Sequence, residues 1–463
     1  MKTIISEKEE SAIALTKIES FISKNNIAKY LEKSNFKKEK GATVLEIFTF
    51  IFSLVFTGKN LYRTMTGNTK PAVSKDAVYR FLESSSHNWR KFLLLLSSMV
   101  ITTKLDHLTS ENRRSVLIID DSKYDRNRSK NVELLAKVYD HVSHKYEKGF
   151  RLLTLAWSDG ASLIPLCFSL LSSAKKKNVL CPINEAIDKR SNGFKRRVES
   201  TEKSTSVMFN LLQEAKKYGV KASYVLFDSW FSFPSVIMKV KREGFHVVAM
   251  LKSMKTVFYT FNGKLYKLEN LYSIAEKNSD TNSDILSSVV VEIGKDEKNV
   301  PVLAKIVFVK SRNKKREWLA VISTDITLTN EEIIALYGKR WDIEVFFKVN
   351  KSFLALAKEF QCRSYDSLVA HTAIVFARYI MLSLEERKNK DSKALGGLFF
   401  ECCDEVKDID FSTAVTMLLT LLKETLRRTG TIAEEVINAI VSQFIQAISL
   451  IFKGRSLFLS CES

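Results

Sequence analysis

The sequence predicts an α/β core, a mixed sheet covered by helices, interrupted by a β-rich stretch and framed by helical N- and C-terminal regions. Three observations carry that expectation. The apolar period changes from helical to strand-like at Arg113. Short β-branched runs then alternate with helical segments as far as Leu251, and a helical period returns at Leu328. The blocks are 1–108 (helical), 109–252 (first part of the core), 253–325 (β-rich), 326–385 (second part of the core) and 386–463 (helical).

In chain order, residues 1–108 read as helices. ATVLEIFTFIFSLVFTG is a buried helix, VSKDAVYRFLES starts on a Ser74 N-cap, and WRKFLLLLSSMVITTKL follows a polar break. Two short helices about a turn admit a helix-turn-helix reader with Lys75, Arg80 and Lys91 toward DNA. A small bundle packing on the rest of the chain is the more economical reading. SVLIID (Ser115 to Asp120) is a buried strand, and FRLLTLAWSDGASLIPLCFSLL is two strands about Ser158–Asp159–Gly160. A basic segment (Lys175 to Lys177, then Lys195 to Arg197) leads into a helix at about Ser200 to Tyr218. SYVLFD (Ser223 to Asp228), a helix through FPSVIMKVKREG and the strand HVVAML (His246 to Leu251) complete the first part. TVFYTF, SSVVVEI, PVLAKIVFVK and EWLAVIST supply the strands of the β-rich stretch, and KNKDSK around Asp391 is a linker before the C-terminal helices.

Charge narrows the partners. Lys and Arg number 72 against 52 Asp and Glu, a net charge of +20 on 463 residues. That surplus calls for a polyanion, either nucleic acid or an anionic membrane. The run Ile47 to Phe56 falls short of the ~20 residues of a spanning helix, and MKTIISEKEE is charged where a signal peptide is apolar. Six cysteines lack paired spacing, which suits a reducing cytoplasm and speaks against a disulfide framework or zinc site. With 45% apolar residues, wholesale disorder is excluded. Nucleic acid is the expected partner, and no membrane association is expected.

Two strands end in an acid, Asp120 and Asp228, and catalytic groups in open α/β sheets gather at the carboxyl ends of strands. Either Asp alone is an ordinary turn former. Together they would repel unless a hard divalent cation neutralised them. Asp121 is an alternative to Asp120 as first ligand. The segment TNEEIIALYGKRWDIEVFFKVNKS, capped by Thr329 or Asn330, reads as one helix. At about 100° per residue, Tyr337, Arg340, Glu344 and Lys351 fall at roughly 0°, −60°, −20° and −40°, one narrow stripe. Glu344 would ligate metal, Arg340 and Lys351 would grip phosphate oxygens, and Tyr337 would donate a hydrogen bond. A solvated charged face, with Lys339, Asp342 and Asn350 as a second polar region, is an equally weighted alternative.

The spacing Tyr337, Arg340, Glu344, Lys351 resembles the Tyr-Arg-Glu-Lys motif of bacterial insertion-sequence transposases with a DDE triad. DDS at Asp120 to Ser122 and FDSWF at Asp228 resemble that family's two aspartate motifs. The resemblance covers about Ser115 to Leu384. It implies a ribonuclease-H-like catalytic core divided by a β-rich insertion, with Asp120, Asp228 and Glu344 as catalytic residues holding two magnesium ions, manganese substituting. It further implies DNA contacts by Tyr337, Arg340 and Lys351, and stacking of a flipped base on Trp318, for which a packing role on its strand is the alternative. Cut-and-paste transposition follows as the expected activity. The expected partners are double-stranded DNA (terminal inverted repeats and target) and a second copy of the chain through the C-terminal helices. Lys310, Arg312, Lys314, Lys315 and Arg316, with Lys175 to Lys177, are expected nonspecific phosphate contacts. The expected location is the bacterial cytoplasm, at the nucleoid. A same-fold nuclease without strand transfer and a non-catalytic DNA-binding regulator are the alternatives.

Overall fold

Among the described residues six α-helices precede the first strand: α1 (Lys17–Lys24), α2 (Ile27–Lys33), α3 (Val44–Leu54), α4 (Leu61–Met65), α5 (Lys75–Glu83) and α6 (Trp89–Val100). The computed structural model describes residues 16–66, 71–109, 113–140, 144–280, 283–311, 318–388, 394–428 and 433–451. Side chains start these helices. Thr16 with Glu19 and Thr43 with Glu46 form capping boxes on α1 and α3, and Ser74 Oγ accepts from the Ala77 N–H on α5. The Asp391 linker lies outside the described residues.

The sheet then begins with β1 (Val116–Asp125), β2 (Ala136–Asp140), β3 (Lys145–Ser158) and β4 (Leu163–Leu171). Helices α7 (Asn192–Ser200) and α8 (Ser204–Lys217) lead to β5 (Tyr224–Phe227), and α9 (Pro234–Arg242) leads to β6 (His246–Leu251). Strand β3 pairs antiparallel with β1, β2 and β4, whereas β1, β5 and β6 run parallel to one another. Every residue of β4 is buried, as a strand covered on both faces must be. Helix α6 lies on it, burying Trp89, Phe92, Leu93, Leu94 and Leu96, with Ser97 Oγ donating to the Pro165 carbonyl at 2.7 Å. Of the helices read as a possible reader, α6 thus packs on the sheet, whereas α5 packs on α3 and α13.

Two features depart from the sequence expectation. Strand β1 continues five residues past Asp120, because its second half stays paired to β3 from Asp121↔Leu153 to Asp125↔Gly149. The basic residues Arg196 and Arg197 turn inward on α7. Arg197 is ion-paired with Glu133 (2.7 Å) and Asp366 (2.8 Å), and Arg196 with Asp366 (2.6 Å).

The β-rich stretch holds β7 (Tyr259–Phe261), β8 (Lys264–Tyr266), a short α10 (Leu268–Ile274), β9 (Glu276–Lys277), β10 (Ile285–Lys295), β11 (Pro301–Lys310) and β12 (Trp318–Ser323). It extends the core sheet edge to edge. Strand β12 pairs antiparallel with β6, from Ala320↔Leu251 to Ser323↔Val248, giving the order β2-β3-β1-β5-β6-β12-β11-β10-β7-β8.

Helices return with α11 (Asn330–Gly338), α12 (Trp341–Ser352), α13 (Tyr365–Lys388), α14 (Leu395–Arg428) and α15 (Glu434–Ile451). Thr329 and Glu332 form the capping box of α11. Helix α13 is long and apolar enough to cross a membrane by length and composition, a stretch the sequence reading passed over, and its apolar window is wholly buried inside the fold. It packs against α3, α5, α6, α12, α14 and β4. Arg378, buried at its middle, donates to the Ile51 and Phe52 carbonyls in the last turn of α3.

Candidate active site

Register brings the two aspartates together. In the parallel pair β1 and β5, Ile119 stands opposite Phe227, and the next residue on each strand is Asp120 or Asp228. Asp120 is therefore not at the end of its strand; it is at the end of its pairing with β5. Each acid accepts the following backbone N–H, Asp120 from Asp121 at 2.8 Å and Asp228 from Ser229 at 2.5 Å, which fixes one carboxylate oxygen and leaves the other for a further partner. Asp121, the next residue on β1, is instead ion-paired with Arg151 of β3. Of the two neighbours, Asp120 is the one that meets the helix carrying Glu344.

That helix is not continuous with its predecessor. The Tyr337–Lys351 segment divides into α11 and α12 at Lys339–Arg340, where amides 339, 340, 342 and 343 all bond three residues back. Side-chain anchors hold the tightened turn. Lys339 Nζ donates to the Arg114 carbonyl at 2.7 Å, and Ser158 Oγ donates to Asp342 at 2.8 Å. Gly160, at φ +85°, lies so close to the Lys339 side chain that a Cβ would meet it at 3.0 Å. Below the turn, Ile343, Phe346, Phe347 and Val349 are buried, and the Phe346 ring packs edge-on to Phe376 and Tyr379 of α13. Lys339 and Asp342 thus anchor the turn, and Asn350 is buried with Nδ2 on the Phe346 carbonyl.

Asp120, Asp228 and Glu344 line one open cleft of about 400 Å3 with Asp121, Ser122, Arg340, Lys348 and Lys351. The Arg340 guanidinium bridges two of the acids, at 3.2 Å from Asp120 Oδ2 and 2.6 Å from Glu344 Oε1. Lys351 Nζ donates to Ser122 Oγ at 2.6 Å, tying α12 to β1. Tyr337 lies under Arg340, the guanidinium carbon 5.7 Å from its ring centroid. Its hydroxyl is buried without a well-formed hydrogen bond, as is Arg340 Nε. Burial pushes that phenol up to about 12. Burial and the neighbouring Asp121 and Asp228 charges raise the Asp120 carboxyl to about 7, and Arg340 offsets only part of this.

Among the described residues no three acid, His or Cys side chains converge closely enough to enclose a metal ion, since Arg340 stands between Asp120 and Glu344. The donor chemistry nonetheless fits a hard divalent cation. The cleft offers carboxylate oxygens without nitrogen or sulfur ligands, and burial, with the neighbouring Asp121 and Asp228 charges added, holds its inner acid above the ordinary range. The Tyr337 hydroxyl and Arg340 Nε are buried beside each other next to these acids, so Tyr337 backs the guanidinium that bridges Asp120 and Glu344.

The remaining expectations fare unevenly. Trp318 does not line the acid cleft. It is half-buried, stacked on Tyr272 (centroids 5.1 Å apart) and edge-on to Phe308 (5.0 Å). Lys175 to Lys177 are exposed, as is Lys310 at the end of β11, whereas Arg312, Lys314, Lys315 and Arg316 lie outside the described residues. Sequence reasoning missed Trp230, exposed two residues after Asp228 with the Arg151 guanidinium 5.6 Å over its ring. The FDSWF run contained that signal.

Two family models match the chain. The DDE superfamily endonuclease model matches residues 52–265, which include Asp120 and Asp228, and the transposase DDE domain model matches residues 201–381, which include Asp228 and Glu344. Between them the two models span residues 52–381, so the chain carries a transposase DDE domain. No curated protein sequence matches it. Among solved structures it is similar to the Drosophila P element transposase strand transfer complex, at 12% identity and a TM-score of 0.23, over 58% of this chain and 57% of that one. The chain thus spans little more than half the length of that protein, and the superposition is too loose for a comparison of sites.

Proposed function

We propose that this chain is the transposase of a bacterial insertion sequence, which cuts DNA at the element ends and joins the freed ends to target DNA. The observation that carries the reading is the meeting of Asp120 and Asp228 at the end of the β1–β5 pairing, with Glu344 facing the same cleft from α12. The Tyr337, Arg340, Glu344 and Lys351 set belongs to this reading as the Tyr-Arg-Glu-Lys signature. The order β4-β3-β1-β5-β6 supports a ribonuclease-H-like core, with β7 to β12 as an insertion that continues its sheet.

Asp120, Asp228 and Glu344 are the residues that would hold divalent cations, magnesium by preference, which when bound polarise the phosphoryl oxygens and acidify the attacking hydroxyl. The protein's own contribution is positioning and charge. Arg340 and Tyr337 offer donors to the non-bridging phosphate oxygens, and Lys351, steadied by Ser122, stands at the rim for the adjoining phosphate. Cutting and joining use the same acids, because both are in-line displacements at phosphorus that differ only in the attacking hydroxyl. Two element ends must be held at once, which supports a homodimer. Met417, Leu418 and Leu421 on α14 and Val436, Ile440 and Phe444 on α15 leave an apolar surface exposed for a second copy. The protein would act in the bacterial cytoplasm, at the nucleoid.

The test is an excision assay on a plasmid carrying this gene's own flanking DNA, with protein supplied separately, with and without magnesium. Wild-type protein should excise and reinsert the element. Glu344→Gln and Asp228→Asn should lose cleavage by roughly 10³-fold or more while still binding the ends. Cutting without rejoining would favour the nuclease, and binding without cutting in any lane would favour the regulator.

A further inference from the structure

The acid cleft is one end of a longer trough. It shares Lys351 with a cleft of about 1270 Å3, and that cleft shares Lys358, Phe360 and Gln361 with a third, of about 910 Å3, which reaches α4 and the start of α5 at Lys75. The middle cleft is walled by the loop after β1 and by the α12–α13 connection, segments more than two hundred residues apart in the chain. Arg126, Arg128 and Lys130 come from the first wall, Lys358 and Arg363 from the second, and Asp125 is the one acid among its lining residues. Arg128, Lys130, Lys358 and Arg363 make no ion pair among the described residues, and Arg126 Nε is buried there without a partner. The second wall carries backbone strain: Ala355 and Ala357, neither a glycine, sit at φ +55° and +64°. Such conformations persist where the surroundings over-determine them, and they gather at ligand clamps.

We propose that this trough holds the sugar–phosphate backbone of the element-end DNA between the scissile phosphate at the acids and the N-terminal helices. The inference rests on the transposase reading and deepens it, by naming the path and the side chains that line it. Cations without an ion pair along a middle cleft whose lining holds a single carboxylate, Asp125, are what a polyanion requires. The groove's continuity with the acids makes that polyanion the substrate strand itself. In this arrangement the residues near α5 meet the DNA away from the cut, and the cut site is set by the length of the trough.

The test compares wild type with a variant carrying Arg128→Gln, Lys130→Gln, Lys358→Gln and Arg363→Gln, in binding and in hydroxyl-radical footprinting of the DNA flanking this gene. Each lost phosphate contact flattens the plot of log affinity against log salt by ~0.9, so the variant's slope should be shallower by about 3 to 4. Its footprint should lose protection only between the cleavage position and the outer, N-terminal contacts. A charge-keeping variant, Arg128→Lys with Arg363→Lys, should retain both slope and footprint, which separates charge from folding. A wild type that cuts the ends beside a quadruple variant with unchanged slope and footprint overturns the trough and leaves the transposase reading standing. A wild type that neither binds nor cuts those ends overturns both.

Discussion

Two arginine-centred clusters in this molecule are built from similar parts and end in opposite electrostatic states. On α13, Arg378 holds Glu359 through both oxygens at 2.8 and 3.0 Å, His371 adds a third contact at 3.0 Å, and the rest of the guanidinium bonds α3 carbonyls. At the cleft, Arg340 reaches Asp120 and Glu344 but leaves Nε without a partner. Burial works against the charge of both inner acids. Arg378 and His371 outweigh it, so Glu359 is held below the usual carboxylate range; Asp121 and Asp228 add to it, so Asp120 rises to about 7. A cluster whose own charges settle every acid is structural, and one left with surplus negative charge is prepared for an external cation.

The sharpest way to break this contrast is to remove one partner from the settled cluster. Glu359→Gln would leave the Arg378 guanidinium buried without a counter-charge, a situation that costs about 3–5 kcal/mol. Urea denaturation should show that loss, and the protein that remains folded should cleave DNA at the wild-type rate. A loss below about 1 kcal/mol would mean that the cluster is not the lock between α13 and α3 described above.

The open cluster predicts a pH effect of the opposite kind. Folded Asp120 titrates near 7 and an unfolded Asp near 3.9. Between those values the folded chain keeps a proton that the unfolded chain has released. Its stabilising contribution is therefore full below pH 4 and is lost as pH rises through 7, on the order of a few kcal/mol. Metal-free wild type should show urea midpoints that fall over this window, and Asp120→Asn should remove that part of the slope. Magnesium should restore stability at neutral pH in the wild type alone. A slope unchanged by Asp120→Asn would place the surplus charge elsewhere.

What could be read from the sequence divides along the same line. That Asp120, Asp228 and Glu344 would share one cleft was legible because each sits in a local pattern, an apolar run leading into an acid or a helix with fixed spacing. Features that depend on register or on distant partners were not. The extension of β1 to Asp125 needs its pairing with β3, and the inward turn of Arg196 and Arg197 needs Asp366, about 170 residues away. The break between α11 and α12 depends on Lys339 and Asp342 meeting the β3–β4 turn, which helical periodicity does not report. The cationic trough has no motif, since its two walls come from separate parts of the chain.

Trp318 offers the smallest and most discriminating test. On β12 it packs with Tyr272 and Phe308, and Lys277 Nζ sits 3.7 Å from the Tyr272 ring centroid on the same cluster. If packing is its whole role, Trp318→Ala should cost roughly 1–2 kcal/mol, the share of a half-exposed aromatic, and Trp318→Phe should recover most of it. Cleavage of the first and second strands should then fall together or not at all. A Trp318→Ala protein with wild-type stability that nicks the first strand normally and fails at the second would instead assign the indole to an unstacked base. That result would require the β12 end of the sheet to approach the DNA in a way its aromatic contacts here do not show, because the ring's stacking face is covered by Tyr272.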